Sequence, residues 1–511
     1  MIDTAQNNKR IAKNTLLLYF RMLFIMAISL YTSRIVLRAL GVEDFGIYNV
    51  VGGVVAMFSV ISSSLSAAIS RFITYELGKG NEEKLVMIFS SSVTIQLGLG
   101  LIILILAEAI GLWFLNNKMT IPVSRIYAAN WVYQLSIFTF IINLISVPYN
   151  AAIIAHEKMS AFAYISILEI VAKLIIVYML LWSPFDKLIF YATLMALVAL
   201  IIRFVYGYYC KQHFKECTYH FIFNKELLKK MFSFAGWNFI GATSAVLRDQ
   251  GGNIIINLFC GPAVNAARGI AYQVNNAISS FASNFMIALN PQITKSYAAG
   301  DKEYLMTLIH QGARLSFYIL LMISLPIIIN THYILALWLN IVPEHTTLFV
   351  QLVLIFAMSE SISNPLITAM LATGKIRNYQ IVVGGLQIMN LPISYILLQN
   401  GYMPETVLIV AIIISQCCLG ARLYMLKGMI GLSIRKYINK VYFNVIAVTI
   451  LSAIIPCILS YYFNETLINF IILCTISIIC TFTMIYFVGC NRKERQFILS
   501  KITAIRNKFR K

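Results

Sequence analysis

The residues best suited to chemistry interrupt a long apolar stretch. Positions 248–253 read Arg-Asp-Gln-Gly-Gly-Asn within residues 232–259, which are otherwise mainly apolar. The guanidinium of Arg248 can bind an anion through paired hydrogen bonds, and the carboxylate of Asp249 can take up H⁺ or Na⁺. Asp249 and Asn253 are one helical turn apart and share a helix face. This pattern predicts a binding site; the alternative is a self-contained Arg–Asp pair that only packs the helices.

A polar stripe occupies the next apolar stretch, residues 269–292. Asn276, Ser283 and Asn290 repeat every seven residues and therefore share one face of a helix. Asparagine is costly in an apolar medium, so these side chains favour a hydrated cavity. Small polar residues also let helices pack closely, which is the alternative for the serine. We include Asn253, Asn276 and Ser283 among the candidate substrate-binding residues.

The composition shows which kind of element must position these residues. Hydrophobic residues make up 59% of the 511 residues, charged residues only 12%, and the mean hydropathy is +0.79. A soluble globule needs about 25% charged residues to wet its surface. The chain is therefore predicted to be an all-α integral membrane protein. Its 40 basic and 20 acidic residues are typical of Lys- and Arg-rich cytoplasmic loops, so we expect no nucleic-acid partner.

Apolar runs of about 20 residues predict about fourteen transmembrane helices. They lie near 14–38, 46–76, 85–115, 126–155, 160–182, 188–210, 232–259, 269–292, 305–330, 346–372, 378–399, 404–427, 441–463 and 467–489. Of the Lys and Arg residues, 27 fall on the side of Met1 and four on the opposite side. By the positive-inside rule, both termini are expected in the cytoplasm. The paired glycines of the 248–253 run predict local unwinding of their helix.

Charged residues inside the predicted spans are mostly cationic. Nine Lys or Arg residues lie within spans, against four acids well inside spans. The acids are Glu108, Glu169, Asp249 and Glu360. We expect Asp249, Glu360 and Glu169 to be the candidates for H⁺ or Na⁺ coupling, because they are the acids deep enough to carry an ion. Glu169 and Lys173 are one helical turn apart and can also neutralise each other.

Four arginines remain as candidates for binding an anion. Cations near the predicted cytoplasmic ends, such as Arg422, can extend to the interface and need no further role. Arg34, Arg38, Arg248 and Arg314 do not have this explanation. Arginine supplies a fixed, always-charged fork of donors that matches phosphate oxygens. We therefore predict that they bind the substrate; pairing with acids or lipid headgroups is the alternative.

An internal repeat divides the predicted spans into two sets. Two pairs of segments align without gaps: 41–85 with 261–305, and 148–158 with 365–375. Each half contains six spans, and the last two spans have no counterpart. The sequence predicts two parallel six-helix repeats followed by two C-terminal helices.

The predicted domains follow from this repeat and from the loop charges. They are an N-terminal six-span bundle (1–210), a cytoplasmic amphipathic linker (211–231), a second six-span bundle (232–427), spans thirteen and fourteen (428–489) and a basic cytoplasmic tail (490–511). Basic and apolar residues recur together in the linker and the tail. Both are therefore expected to lie on anionic phospholipids.

Two N-terminal segments carry a family resemblance. Residues 32–53 read TSRIVLRALGVEDFGIYNVVGG, and residues 69–81 read ISRFITYELGKGN. Together with the repeat, they resemble the polysaccharide-flippase (Wzx-like) branch of the multidrug/oligosaccharidyl-lipid/polysaccharide exporter superfamily. The resemblance implies a flippase that moves undecaprenyl-diphosphate-linked oligosaccharides to the outer leaflet of the bacterial cytoplasmic membrane, by alternating access between two bundles. The implied role is O-antigen or capsule assembly, with the lipid-linked oligosaccharide and a polysaccharide polymerase as partners.

The sequence also weighs against other functions. It has no P-loop, no Asp-x-Asp pair and no His-Glu-x-x-His motif, so we expect neither an enzyme nor a metal or organic cofactor. A gradient of H⁺ or Na⁺ is the expected energy source. The alternative function is an ion-coupled multidrug exporter of the same superfamily, whose cavity for cationic drugs should be acidic rather than basic.

Overall fold

The computed structural model describes residues 4–56, 59–117, 121–222, 224–339, 342–492 and 494–496. Over these ranges the chain consists of helices and short connections, with no β-strand. The all-α class predicted from the composition is therefore confirmed. Apolar side chains cover most helix surfaces, which suits lipid as the surrounding medium.

Seventeen α-helices follow one another along these residues. They are α1 (Thr4–Ala56), α2 (Ser59–Lys79), α3 (Glu82–Leu106), α4 (Leu112–Asn117), α5 (Ile126–Ala155), α6 (Met159–Leu181), α7 (Lys187–His213), α8 (Lys225–Ala298), α9 (Lys302–Ile329), α10 (Thr331–Leu339), α11 (Thr346–Thr373), α12 (Arg377–Ile388), α13 (Asn390–Gln399), α14 (Thr406–Ile430), α15 (Ile434–Tyr437), α16 (Phe443–Tyr462) and α17 (Leu467–Met484). Wider helical turns at Ala107–Gly111, Ile438–Tyr442 and Ile485–Gly489 extend α3, α15 and α17.

Eleven helical segments are long and apolar enough to cross a membrane. The three other predicted spans, near 46–76, 232–259 and 269–292, are helical wherever the structure describes them, but they carry more polar residues. Together these segments agree with the prediction of about fourteen spans. The chain is a multi-pass membrane protein.

Two long helices each join predicted spans across one glycine. Gly41 interrupts α1 with φ 81° and ψ 168°, and Gly261 interrupts α8 with φ 82° and ψ 177°. This backbone conformation is accessible in practice only to glycine. The repeat alignment pairs Gly41 with Gly261, so both halves bend at the same position and through the same geometry.

Further positions confirm the repeat in the backbone. Gly80 and Gly300, which the alignment pairs, have φ of 71° and 76° at the starts of α3 and α9. Glu157 and Gly374, also paired, have φ of 59° and 74° after α5 and α11. Because paired positions have the same left-handed backbone conformation, the two halves share the geometry of these turns as well as the order of their helices.

The predicted unwinding at the paired glycines of the 248–253 run is wrong. Helix α8 is continuous through Gly251 and Gly252. Their missing side chains serve packing instead: a Cβ at Gly251 would lie 2.3 Å from Leu391, and one at Gly252 would lie 2.8 Å from Arg268. The helix breaks at Gly261, where the backbone alone requires glycine.

The contacts divide the chain into two compact units. Unit 1 contains the described residues of 1–243 and 287–301, and unit 2 contains those of 244–286 and 302–511. In unit 1, α3, α5, α6 and α7 share a core in which the ring of Phe89 meets that of Tyr149 edge to face, with centroids 5.0 Å apart. Edge-to-face pairs of this kind add to the stabilisation by buried area.

Candidate functional site

Arg248 and Asp249 form an ion pair on α8 in unit 2. Nε of Arg248 donates to Oδ1 of Asp249 at 2.9 Å, and Nη2 donates to Oδ2 at 3.3 Å. The guanidinium also lies 5.0 Å from the ring centroid of Phe356 on α11, a cation–π distance. Arg248 is largely buried and Asp249 is half-exposed. The pair is thus open on the carboxylate side.

Arg268 is deeply buried, with 2% of its surface exposed. Its Nη1 donates to the carbonyl oxygen of Asp249 at 3.1 Å and to the side-chain oxygen of Asn253, and its Nη2 donates to the hydroxyl of Tyr272 at 3.1 Å. The sequence predicts that Arg268 is one of the four cations in the loops opposite Met1, but the structure places it within α8, which remains helical on both sides of Gly261. The spacing of four residues between Arg268 and Tyr272 is the signal that could have revealed this pairing.

A second buried arginine lies on α14. Arg422 is 1% exposed and interacts electrostatically with Tyr379 on α12. Its Nε and Nη1 have no hydrogen-bond partner among the described residues. The interpretation that Arg422 reaches out to the interface is therefore wrong. Glu360 on α11 interacts electrostatically with both Arg422 and Arg248.

These residues define a polar cluster inside unit 2: Arg248, Asp249, Arg268, Glu360 and Arg422. Three permanent cations face two carboxylates, so the cluster carries an excess positive charge when both acids are ionised. Arginine remains charged under all physiological conditions. An arrangement of this kind can receive an anion, and it can release or take up a cation at a carboxylate.

The remaining candidates for substrate binding lie in different surroundings. Asn253 accepts from Arg268 and donates to Gln250 at 3.1 Å, so it helps to hold the cluster. Asn276 and Ser283 are exposed on α8, seven residues apart, as the polar stripe requires.

The other predicted arginines are distributed over both units. Arg314 is buried on α9 and donates to Glu494 at 2.6 Å and to the carbonyl of Gly489 at 3.3 Å, so its contacts fasten the end of the chain. Arg38 is exposed on α1. The side chain of Arg34 lies outside the described residues. The anion-binding role of these three stays a prediction.

Glu169 pairs with Lys173 on α6 at 2.5 Å, as their spacing of one turn predicts. Both side chains are about one-third exposed. The described residues contain no group of three or more His, Cys, Asp or Glu side chains that could hold a metal ion.

A network around Glu157 in unit 1 was not visible in the sequence. Its carboxylate accepts from Arg10 at 2.8 Å, from Lys295 at 2.6 Å and from Gln292 at 2.5 Å. Its carbonyl oxygen accepts from Asn14 at 3.3 Å. One buried carboxylate thereby joins the start of α1, the end of α8 and the turn between α5 and α6.

A second ion network lies at the start of α7. Arg125 pairs with Asp44 and with Asp186, the latter at 2.6 Å. Asp186 also accepts from the backbone amides of Leu188 and Ile189 and so caps α7. Burial raises the pKa of Asp186, but Arg125 and these amides outweigh it and hold the pKa below its usual value.

Comparison with solved structures identifies the fold. A MATE transporter in its bent conformation has a TM-score of 0.73 at 14% identity, and one in its straight conformation has 0.71 at 13%; each match covers 83% of this chain and 96% of that structure. A MOP superfamily transporter from Pyrococcus furiosus gives 0.68 at 14%, covering 82% of this chain and 96% of the other. The chain has the fold of these membrane transporters.

The family is defined by sequence. The family described as "Polysaccharide biosynthesis protein" matches residues 11–297, more than half of the chain. The protein belongs to this family, which confirms the predicted polysaccharide branch of the superfamily, and it has the fold of the transporters above. It is also 24% identical over 294 residues to the uncharacterized membrane protein EpsK of Bacillus subtilis (strain 168), a match that spans 57% of each chain.

Proposed function

We propose that this protein is a flippase for undecaprenyl-diphosphate-linked oligosaccharides. It would carry them from the inner to the outer leaflet of the bacterial cytoplasmic membrane, with both termini in the cytoplasm, for surface-polysaccharide assembly. The observation that carries the proposal is the surplus of arginine over carboxylate in the unit 2 polar cluster, in a chain of the polysaccharide biosynthesis family. A diphosphate crossing a bilayer needs such cations, because an unpaired anion in hydrocarbon is prohibitively costly.

The ion pair of Arg248 and Asp249 suggests how substrate and coupling ion can exchange. Two donors of the guanidinium are occupied by the carboxylate when no substrate is present. A diphosphate that binds these donors displaces Asp249, which is half-exposed and can then take up H⁺ or Na⁺. In this mechanism, Arg248 binds the carboxylate of Asp249 in one state and the diphosphate in the other, as the site opens to one side of the membrane and then to the other. This mechanism requires no covalent step.

Genetic complementation tests the proposed substrate. Deletion of the gene should cause a lipid-linked oligosaccharide to accumulate in extracted lipids, and the wild-type gene should clear it. Arg248→Ala and Arg248→Lys should both fail, because lysine cannot present two parallel donors. Lys302→Gln is the control, since it removes one charge from an exposed position at the start of α9.

The outcomes separate the two candidate functions. The fold is shared with a multidrug resistance transporter of the MATE family, so an ion-coupled drug exporter is the second candidate. Increased drug sensitivity without accumulation of lipid-linked glycan would favour the exporter. Full activity of Arg248→Ala at normal protein levels would remove Arg248 from the binding site. Full activity of Asp249→Asn would remove Asp249 from ion coupling.

A further inference from the structure

A groove on the outer surface of unit 1 has the features of a phosphate site. It has a volume of about 620 Å³ and is formed by α7, by the end of α5 and by the segment that follows α7. The residues that matter here are Tyr149, Arg203, Phe204, Lys211, Thr218 and Tyr219. None of them belongs to the unit 2 polar cluster, and the proposed transport mechanism does not use them.

Arg203 is held in place without being neutralised. Its guanidinium lies 3.9 Å from the ring centroid of Tyr149, a close cation–π contact. Among the described residues it has no carboxylate within ion-pair distance and makes no hydrogen bond. Gly207, one turn later on α7, leaves it room, because a Cβ there would lie 2.9 Å from Nη1. The guanidinium is therefore positioned with all of its donors available.

The opposite wall supplies further polar groups on a fixed backbone. Ser90 of α3 donates to the carbonyl oxygen of Thr218 at 3.4 Å and accepts from the amide of His220 at 3.2 Å. The hydroxyl of Tyr219 lies 3.3 Å from that of Thr94. The hydroxyl of Thr218 donates to the carbonyl oxygen of Lys215 at 3.3 Å, and that of Tyr219 donates to Thr94, whose own proton goes to the carbonyl oxygen of Ser90. These contacts fix the segment beside the groove and leave both hydroxyl oxygens as acceptors. Lys211, exposed at the end of α7, adds a second cation.

The rim of the groove is apolar and faces outward. Phe204 and Tyr208 are each 68% exposed on the same face of α7. Side chains of this kind are stable at the boundary between lipid headgroups and acyl chains. The groove also lies on the Lys- and Arg-rich side that the positive-inside rule assigns to the cytoplasm. Anionic phospholipids are concentrated in that leaflet and attract such basic sites.

We propose that this groove binds the phosphodiester headgroup of an anionic phospholipid from the cytoplasmic leaflet. Arg203 and Lys211 bind the phosphate, Thr218 and Tyr219 line the headgroup site, and Phe204 contacts the acyl chains. The exposed rim and the pair of cations suit a single negative charge on a membrane lipid. The proposal does not depend on which substrate the protein transports.

Native mass spectrometry of the purified full-length protein tests this assignment. Phosphatidylglycerol should be retained more strongly than phosphatidylcholine with the same acyl chains. Arg203→Gln combined with Lys211→Gln should weaken phosphatidylglycerol binding about tenfold or more, because each loses a charge-assisted contact. Lys211→Gln alone should give part of this loss, and its exposed position leaves folding intact. Lys302→Gln removes the same charge elsewhere and should bind like the wild type.

Three results of the binding experiments would overturn the proposal. The first is equal retention of the two phospholipids by the wild type. The second is unchanged phosphatidylglycerol binding in the Arg203→Gln/Lys211→Gln variant. The third is displacement of phosphatidylglycerol by undecaprenyl phosphate at lower concentrations than unlabelled phosphatidylglycerol requires, which would make the groove a site for the lipid carrier. A photoreactive phosphatidylglycerol headgroup should crosslink within residues 203–219, and crosslinking confined to other segments would contradict the location.

Discussion

Replacing Glu157 by glutamine should destabilise unit 1 strongly. The substitution keeps the size of the side chain but removes the charge that faces Arg10 and Lys295. Glu157 is only 1% exposed at its side chain, whereas Lys295 and Arg10 are 24% and 47% exposed. Burial lowers the pKa of Lys295 despite the opposing charge of Glu157. Without Glu157, the buried ammonium of Lys295 therefore has no counter-charge within the network.

The magnitude follows from this burial. Removing one partner of a buried ion pair costs about 3–5 kcal/mol. Because the exposed part of Arg10 can be rehydrated, we expect a cost at the lower end of this range. We expect a loss of about 3 kcal/mol in the free energy of unfolding, or roughly a hundredfold in the equilibrium constant.

Denaturant titration of the detergent-solubilised protein measures this loss. The matched control is Glu83→Gln, an exposed acid at the start of α3 for which no ion pair is found among the described residues. The control should change stability by less than about 0.5 kcal/mol. Lys295→Met in the wild-type and Glu157→Gln backgrounds completes a double-mutant cycle, whose coupling energy should be large.

Glu157→Gly separates the charge from the backbone conformation. Glu157 has φ 59°, a left-handed conformation that costs about 1–2 kcal/mol for a residue with a Cβ. If that strain dominated, glycine, which occupies the matching position 374 of the second half, would stabilise the protein. We expect destabilisation instead, because the ion pairs are lost as well. A Glu157→Gly variant more stable than the wild type would refute this reasoning.

Further predictions concern packing and pH. Gly252→Ala should lower the free energy of unfolding by about 1–3 kcal/mol, because the new Cβ would lie 2.8 Å from Arg268, which is held in place by its own hydrogen bonds. Gly269→Ala on the same helix meets nothing within 4 Å and should raise it by up to about 1 kcal/mol. Equal changes for the two variants in denaturant titrations would contradict this packing. Asp186 has a depressed pKa in the folded state, so its contribution to stability is present above its ordinary value of 3.8 and is lost as the pH falls through the lower folded value. Asp186→Asn should remove this pH-dependent loss of the free energy of unfolding, which we expect to be at most about 1 kcal/mol because the pair with Arg125 is partly exposed. An unchanged dependence on pH would argue against the pairing.

Local sequence patterns predicted the helices and the repeat. Apolar runs define the spans because a helix must satisfy its own backbone in lipid. The repeat alignment pairs Gly41 with Gly261, and their backbone angles agree. The pairing of Glu169 with Lys173 also follows from spacing along one helix.

Contacts between distant segments were not predictable in this way. Glu157 and Lys295 are 138 residues apart, and nothing in one sequence brings them together. The burial of Arg268 and Arg422 is not predictable either, because the ends of apolar runs do not show which helices pack around them. Their partners Asn253 and Tyr379 lie on other turns or other helices, where only the folded chain brings them close.

Transport in proteoliposomes tests the proposed function most directly. The purified protein is reconstituted with a fluorescent undecaprenyl-diphosphate-linked oligosaccharide, and a membrane-impermeant reagent reports the fraction that reaches the opposite leaflet. We predict translocation by the wild type and little above the protein-free rate for Arg248→Ala, with Lys302→Gln as active as the wild type. Translocation by the wild type at the protein-free rate, together with gradient-driven export of a cationic drug, would contradict the flippase and establish the exporter.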